Sequence, residues 1–190
     1  MDSQIIYLAL AVLAFAVALN LKLTISVLHA ALEERDAGAP LTPGEAVPQV
    51  SGQPLAARFA PWSPPRRPVL EGRPAALLFL ASGCPKCHGK LAELERLLPA
   101  ALHAGLDVRL VSHESAWRLR RFLGGRLPSS QVLRLRRSDY RLLNPTGVSP
   151  AYLFVDHAGI LEARGFIGDD NWLALRAQLL DGQTLASEAA

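Results

Sequence analysis

The chain has 190 residues, of which 50% are hydrophobic, 19% charged and 6% aromatic, with 14 glycines, 14 prolines and two cysteines. That length allows one ordinary domain with something attached, and the composition excludes a disordered or collagen-like chain. Two cysteines can neither build a multi-bridge secreted scaffold nor fill a zinc site of four thiolates, and a formal net charge of +3 is too small to imply nucleic acid.

From Ile5 to Leu19 the chain is IIYLALAVLAFAVAL, polar only at the Tyr7 hydroxyl; Asn20 and Lys22 interrupt the run before LTISVL carries it to Leu28. A helix needs about 20 residues to cross the hydrocarbon, so residues 5–28 suffice if Lys22 snorkels towards an interface. Ala16-Val17-Ala18 has the form of a signal-cleavage site, but Asp2 is the one charged residue before the apolar run, where a secretory leader carries positive charge. A buried soluble helix would need a polar face to turn to water, and this run has none. Residues 1–29 are therefore expected to be an uncleaved transmembrane anchor. Lys22 and Arg35 follow the run and no Lys or Arg precedes it, so a bare count of positive charges favours a cytoplasmic domain.

Residues 30–74 are expected to form a proline-rich stem and N-terminal extension, since 40–74 hold nine of the 14 prolines. Such density opposes helix and favours extended or turn conformations. AGAPLTPG reads as a spacer, and Val50, Leu55 and Phe59 as marks of short strands. The main domain is expected over 75–182. Ala75 to Ala81 (AALLFLA) is a continuous apolar run of the kind found in a strand covered on both faces. Leu91, Leu94, Leu97 and Leu98 recur at helical spacing from Pro85 onward, with Pro99 predicted to stop the helix. DVRLVS (107–112) predicts a strand, Ser115 to Leu123 a helix ending at Gly124-Gly125, and Gln131 to Leu135 a short strand. AYLFVD (151–156), the turn His157-Ala158-Gly159 and ILEAR (160–164) predict a hairpin. Asp169 or Asp170 should cap a last helix running to about Leu180, leaving 183–190 as a flexible tail. Together these elements predict an α/β fold, a mixed sheet flanked by helices.

The chemistry is expected where the first core strand meets the first helix, at Ser82-Gly83-Cys84-Pro85-Lys86-Cys87-His88. Pro85 suits the first helical position, where its missing N–H has no helical partner to lose. Cys84 then sits at the helix N-terminus, where free N–H groups and the positive dipole end stabilise a thiolate. Lys86 and protonated His88 add positive charge. Cys84 is predicted to be the low-pKa nucleophile, and Cys87, one turn in, the buried resolving thiol. Exchange in either direction passes through a mixed disulfide.

Other chemistries use the same residues. Cys84-Pro85-Lys86-Cys87-His88 satisfies C-x-x-C-H, the covalent haem motif; the one methionine is Met1, so a distal ligand would come from His29, His103, His113 or His157. Cys84 and Cys87 with a distant His113 or His157 could also hold copper or zinc, and an electron-transfer or metal-delivery module is the alternative function. Residues 106–141 carry nine arginines against Asp107, Glu114 and Asp139, either a solvated face or a docking face for an acidic partner or lipid headgroups. No aromatic residues interleave with them in a nucleic-acid-binding pattern. Trp117 and Trp172 are expected to be helix packing residues, Asp169-Asp170 a cap, and His157 a solvated turn residue.

The strand-CxxC-helix unit, followed by Gly147-Val148-Ser149-Pro150-Ala151-Tyr152-Leu153-Phe154-Val155-Asp156 and a hairpin, resembles the thioredoxin fold. Within it the chain is most similar to the membrane-anchored TlpA/ResA-like group. Pro43-Gly44-Glu45-Ala46-Val47-Pro48 resembles the entry segment of those proteins. The anchor, GCPKC and the GVSPAYLFVD-AGILEARG run together resemble the methylamine dehydrogenase accessory proteins of the MauD type. The resemblance implies a thiol-disulfide oxidoreductase without cofactor or metal, serving the maturation of a protein client such as an amine dehydrogenase subunit. It implies a single-pass protein of the bacterial inner membrane, with the domain in the periplasm and a membrane redox partner that resets the disulfide. It also implies that Pro150 is a cis-proline facing the cysteines and that the Ser149 backbone pairs with an extended substrate segment; Pro85 and Lys86 are expected to border the same substrate. From the residues alone, a proline heading an apolar strand is equally an ordinary trans start. Two departures stand out. Gly83 occupies the position of the thioredoxin Trp, and Leu78 that of the buried carboxylate, so Lys86, His88 or water would have to take the proton of Cys87.

Overall fold

The computed structural model of the chain describes residues 2–35, 38–55 and 65–188, with side chains described for 4–28, 38–55 and 65–181. Phe59, expected to mark a strand, lies outside the described residues. The chain divides into two units, Met1–Gly38 and Ala39–Ala190.

The first unit is one helix, α1 (Asp2–Arg35). Its stretch Gln4–Leu28, 25 residues of mean hydropathy 2.2, is long and apolar enough to cross a membrane. The polar break in it is satisfied locally. Thr24 Oγ1 donates to the Asn20 carbonyl at 2.9 Å, which spares the hydroxyl from needing another partner.

The second unit begins with β1 (Ser51–Pro54), β2 (Arg67–Pro68) and β3 (Ala75–Phe79), followed by α2 (Pro85–His103), β4 (Asp107–Ser112) and α3 (Ala116–Leu123). It continues with β5 (Val132–Arg134), α4 (Arg137–Leu143), β6 (Ala151–Val155), β7 (Leu161–Phe166) and α5 (Asp170–Glu188). The strands form one mixed sheet in the order β2-β1-β5-β4-β3-β6-β7. β3 runs parallel to β4 and antiparallel to β6, so the ends of β3 and β4 and the start of β6 meet at one margin.

β3 organises both cores. Successive strand side chains point to opposite faces. Ala76, Leu78 and Leu80 join Leu91, Leu94, Leu98 and Trp172 on one side. Ala75, Leu77 and Phe79 join Tyr140, Leu143, Val47 and Val69 on the other. An apolar run without alternation is what such double burial requires.

Several elements differ from the sequence expectation, each for a physical reason. α2 contains Pro99 and runs on to His103. Leu97, Leu98, Ala100 and Ala101 are all buried around it, and burial at roughly 1.5–3 kcal/mol per large side chain offsets the ~3 kcal/mol that an interior proline costs. α3 is capped as its sequence demands, with the Ser115 side chain accepting from Arg118 N–H and Gly124 left-handed at φ 57°. Trp117, expected to pack, is 65% exposed. The inward face of α3 is Leu119, Phe122 and Leu123, and a residue two before Leu119 points away from it; the Arg121 guanidinium lies over the indole at 5.7 Å. Trp172 does pack, donating Nε1–H to Glu93 across α2 and α5 at 2.9 Å. Asp169, not Asp170, caps α5: its Oδ1 accepts from Trp172 N–H at 2.9 Å and from the Tyr152 hydroxyl at 3.0 Å. α5 passes Leu180 and reaches Glu188.

Past the AGAPLTPG stretch the proline-rich extension is folded chain. Val47, Val50, Leu55, Val69 and Leu70 are buried, and Gly44 N–H, Val47 N–H and the Glu45 carbonyl bond to Leu161 and Gly159 at 2.8 to 2.9 Å. Not all of the arginines are solvated. Arg109 is buried, held by Asp107, Glu71 and the Pro68 carbonyl, while Arg118, Arg121, Arg126, Arg136 and Arg137 are exposed.

Candidate active site

β3 delivers the chain to a tight turn in which Cys84 N–H bonds the Ala81 carbonyl at 3.1 Å. Cys84 caps α2 in extended geometry with Pro85 just inside, and no side chain caps that end. The first helical N–H groups are therefore free to point at the Cys84 sulfur. Cys87 N–H also reaches the Cys84 carbonyl at 3.1 Å, closing the first turn. The margin of the sheet brings in the second wall. Ser149–Pro150 is a cis peptide bond, and the Cys84 thiol lies 3.7 Å from the Ser149 carbonyl.

The two thiols have opposite environments. Cys84 is half-buried and Cys87 buried, both as free thiols. Burial pushes the Cys84 thiol up, but the Cys87 thiol, the N–H groups of Cys87 and Lys86 and the Ser149 hydroxyl all donate to it. Together they hold it below the ordinary thiol value. Cys87 is 0% exposed, and its burial, reinforced by the neighbouring Cys84, pushes its thiol up to about 11. An ionisable outer sulfur in contact with a protonated inner one is an arrangement suited to disulfide exchange.

Pro85 and Lys86 are exposed next to Cys84 in the chain, Ser149 is half-buried, and Pro150 is buried beneath it. A cavity of about 110 Å³ opens beside the cis loop, lined among others by Val148, Ala151, Leu143 and Phe166. Gly83 leaves the approach bare, since a Cβ placed there would meet nothing within 4 Å.

The haem and metal alternatives do not fit these positions. Thioether attachment needs both sulfurs accessible on one face, and Cys87 lies inside the core with Leu91 and Leu94. The His88 ring is engaged, its Nε2 3.0 Å from the Ser82 carbonyl and its centroid 4.8 Å from that of Phe122 in an edge-to-face pair. His103 is at the far end of α2, about 27 Å along its axis from Pro85 at 1.5 Å per residue. His157 follows β6 at the margin away from Cys84, the ring of His113 is tilted against that of Tyr140 with centroids 4.6 Å apart, and the His29 side chain lies outside the described residues. Among the described residues, no group of three or more His, Cys, Asp or Glu could hold a metal ion.

Two residues of the site escape sequence reasoning. Asn144, buried after α4, donates Nδ2–H to the Val148 carbonyl at 2.9 Å and to the Tyr140 hydroxyl at 3.1 Å, fixing the loop that carries Ser149. Glu114, just past β4, accepts from Ser82 N–H at 3.0 Å and so ties the cysteine turn to the next strand. The Asn-Pro-Thr-Gly run around Asn144 is a signal for an ordered turn; Glu114 carries no comparable one.

Solved structures share this architecture. The thioredoxin domain of a thiol-disulfide oxidoreductase from Bacteroides vulgatus superposes with a TM-score of 0.58 at 18% identity, covering 73% of this chain and 99% of that one. A thiol:disulfide interchange protein from a Bacteroides species gives 0.58 at 17% identity, covering 72% and 90%. A peroxiredoxin-like protein from Aquifex aeolicus gives 0.57 at 15% identity, covering 76% and 90%, so the fold is common to different chemistries and activity must be argued from the site. The chain matches no protein-family model and no curated protein sequence. It has the thioredoxin-like fold, a mixed sheet flanked by helices, with the close pair Cys84 and Cys87 at the start of α2 and an N-terminal apolar helix long enough to cross a membrane.

Proposed function

We propose that this protein is a membrane-anchored thiol-disulfide oxidoreductase that works on a protein client through Cys84 and Cys87. The observation that carries this reading is the half-buried Cys84 thiol, ringed by donors and 3.7 Å from the Ser149 carbonyl, with Cys87 buried behind it.

In the reducing direction the Cys84 thiolate attacks one sulfur of a client disulfide, and the other client sulfur leaves and is protonated. Cys87 then gives up its proton and attacks Cys84. The mixed disulfide breaks, the second client thiol departs, and the pair is left oxidised with two electrons passed to the client. The oxidising direction is the reverse. The Ser149 main chain, next to Pro150, supports an extended client segment, with Pro85 and Lys86 bordering it. Residues 5–28 hold the protein in the bacterial inner membrane with the domain in the periplasm, where disulfides persist, and a membrane redox partner resets the pair. The MauD-type resemblance supports an amine dehydrogenase subunit as the client.

A Cys87→Ala variant expressed in cells tests this. It should accumulate mixed disulfides with client protein, visible as reductant-sensitive bands that vanish when Cys84 is also replaced. Absence of any such adduct overturns the proposal. A reporter fused after Gly182 and active on one side of the membrane alone reads the orientation.

A further inference from the structure

A client has to bring its sulfur to Cys84, so whatever borders that thiol meets the client first. One border is α3, which runs beside the cysteine turn and the first turn of α2. Two contacts fix it there. Glu114, immediately ahead of the Ser115 cap, accepts from Ser82 N–H at 3.0 Å, just before Cys84 in the chain. Towards the other end of α3, the Phe122 ring meets that of His88, just after Cys84, with centroids 4.8 Å apart. The parallel pairing of β3 with β4 delivers both segments to the same margin.

With Leu119, Phe122 and Leu123 turned inward, α3 offers solvent Trp117, Arg118 and Arg121, all exposed. Trp117 and Arg121 stand one turn apart on one stripe, the guanidinium 5.7 Å from the indole centroid. The indole is nevertheless 65% exposed. Arg118 precedes Phe122 by one turn and so shares the flank that meets His88. Lys86 is exposed on the first turn of α2. Segments 82–90 and 115–126 together hold six Lys and Arg and no Asp or Glu. Because the whole chain is +3, everything outside these two segments is net −3. The excess positive charge is therefore gathered beside the thiol. A helix face that is merely solvated tends to alternate its signs, and α3 does not. Trp and Arg are also the side chains that most often carry binding energy at protein interfaces.

We propose that this surface docks the client, and that it selects a segment rich in Asp and Glu flanking the client cysteine. This rests on the exchange reading of Cys84 and Cys87 and adds the class of substrate to it. Client carboxylates pair with the guanidinium forks of Arg118 and Arg121, and an apolar client side chain lies against the Trp117 indole. A protein segment is favoured over a lipid surface because the patch is continuous with the sulfur that reacts.

The test uses the reduced full-length chain in non-ionic detergent micelles. The probes are synthetic peptides whose one cysteine is joined to pyridinethiol and flanked by glutamates, glutamines or lysines. Cys84 attacks the peptide sulfur, the S–S bond breaks, and the departing pyridinethiolate is protonated to the absorbing thione. Dipyridyl disulfide, too small to span the surface, gives the reference rate for each variant. At about 10 mM salt, where the Debye length is about 30 Å, the glutamate peptide should react at least about tenfold faster than the glutamine peptide. That is the low end of electrostatic steering. The lysine peptide should be slower than either. At about 1 M salt, where screening acts within about 3 Å, the three should converge to within about twofold. Replacing Arg118 and Arg121 together by Gln should abolish most of the preference, measured against the reference rate. Replacing both by Lys should keep most of it. A preference below about twofold at low salt, or one that survives the Gln variant, overturns the proposal. So does an absent peptide preference together with shielding of Trp117 emission, read as the difference from Trp117→Phe, in phosphatidylglycerol but not phosphatidylcholine nanodiscs; the surface is then a lipid face. A missing second equivalent of thione from dipyridyl disulfide would instead show that Cys87 does not close on Cys84, which overturns the exchange reading itself.

Discussion

Alkylation of the reduced protein should fall almost entirely on Cys84, and the margin can be worked out. The thiolate is the species that reacts. With its thiol pushed up to about 11, Cys87 is ionised in about one molecule in 10⁴ at pH 7. Cys84 lies below the ordinary 9.0, so more than about one in 100 is ionised. Ionisation therefore favours Cys84 by at least ~100-fold. The more basic sulfur is intrinsically the better nucleophile, by about tenfold over two pKa units, which leaves at least ~10-fold. Access widens the gap, since Cys87 is 0% exposed and must wait for local opening. The assay is a time course with iodoacetamide from pH 5 to 9, with adducts assigned by peptide mass. The Cys84 rate should inflect below 9. Comparable rates at the two cysteines, or a Cys84 inflection at or above 9, would refute the reasoning.

Three more outcomes follow from the same geometry. The raised value of Cys87 makes reduced-state stability depend on alkaline pH. That contribution is fully present below the unfolded value of 9.0 and is lost as pH rises towards about 11, a loss of about 3 kcal/mol. Cys84, held low, has the opposite sign, its contribution growing as pH rises through its folded value. Urea midpoints of reduced and oxidised protein should diverge over that window, and parallel curves would count against the burial argument. Asp169→Ala removes the α5 cap, worth about 1 kcal/mol, and strands the buried Tyr152 hydroxyl at about 1–3 kcal/mol. A summed loss under about 1 kcal/mol in denaturation would contradict it. Gly83→Trp should leave the unfolding free energy within about 0.5 kcal/mol, because nothing lies within 4 Å of a Cβ there, while slowing alkylation of Cys84; a large destabilisation would show the approach to be closed.

What the sequence discloses depends on whether the signal is local. The leucines of α2, the Gly pair ending α3 and the His157-Ala158-Gly159 turn are local patterns, and each lies where its pattern puts it. The cysteine spacing with Pro85 is equally local, and it places Cys84 as the cap of α2. Pro99 misleads because a local rule is overridden by buried neighbours on both sides of it. α4 goes unpredicted because its inward face amounts to Tyr140 and Leu143, too few positions to set a period. The proline-rich entry segment hides a folded stretch because its bonds run to Gly159 and Leu161, more than a hundred residues on. Glu114 is the extreme case. Its place at the cysteine turn comes from the parallel pairing of β3 with β4, which no residue near it announces.

The path of the chain into the domain has a consequence for its neighbours. By bonding to Gly159 and Leu161, the segment from Gly44 to Val47 covers one end of the outermost strand, β7, while the opposite margin closes with Pro68, which has no N–H to offer. Strand margins with free main-chain groups are where crowded molecules template one another into aggregates. The entry segment thus doubles as a shield, leaving less of the sheet's outer edge open to pairing with another chain.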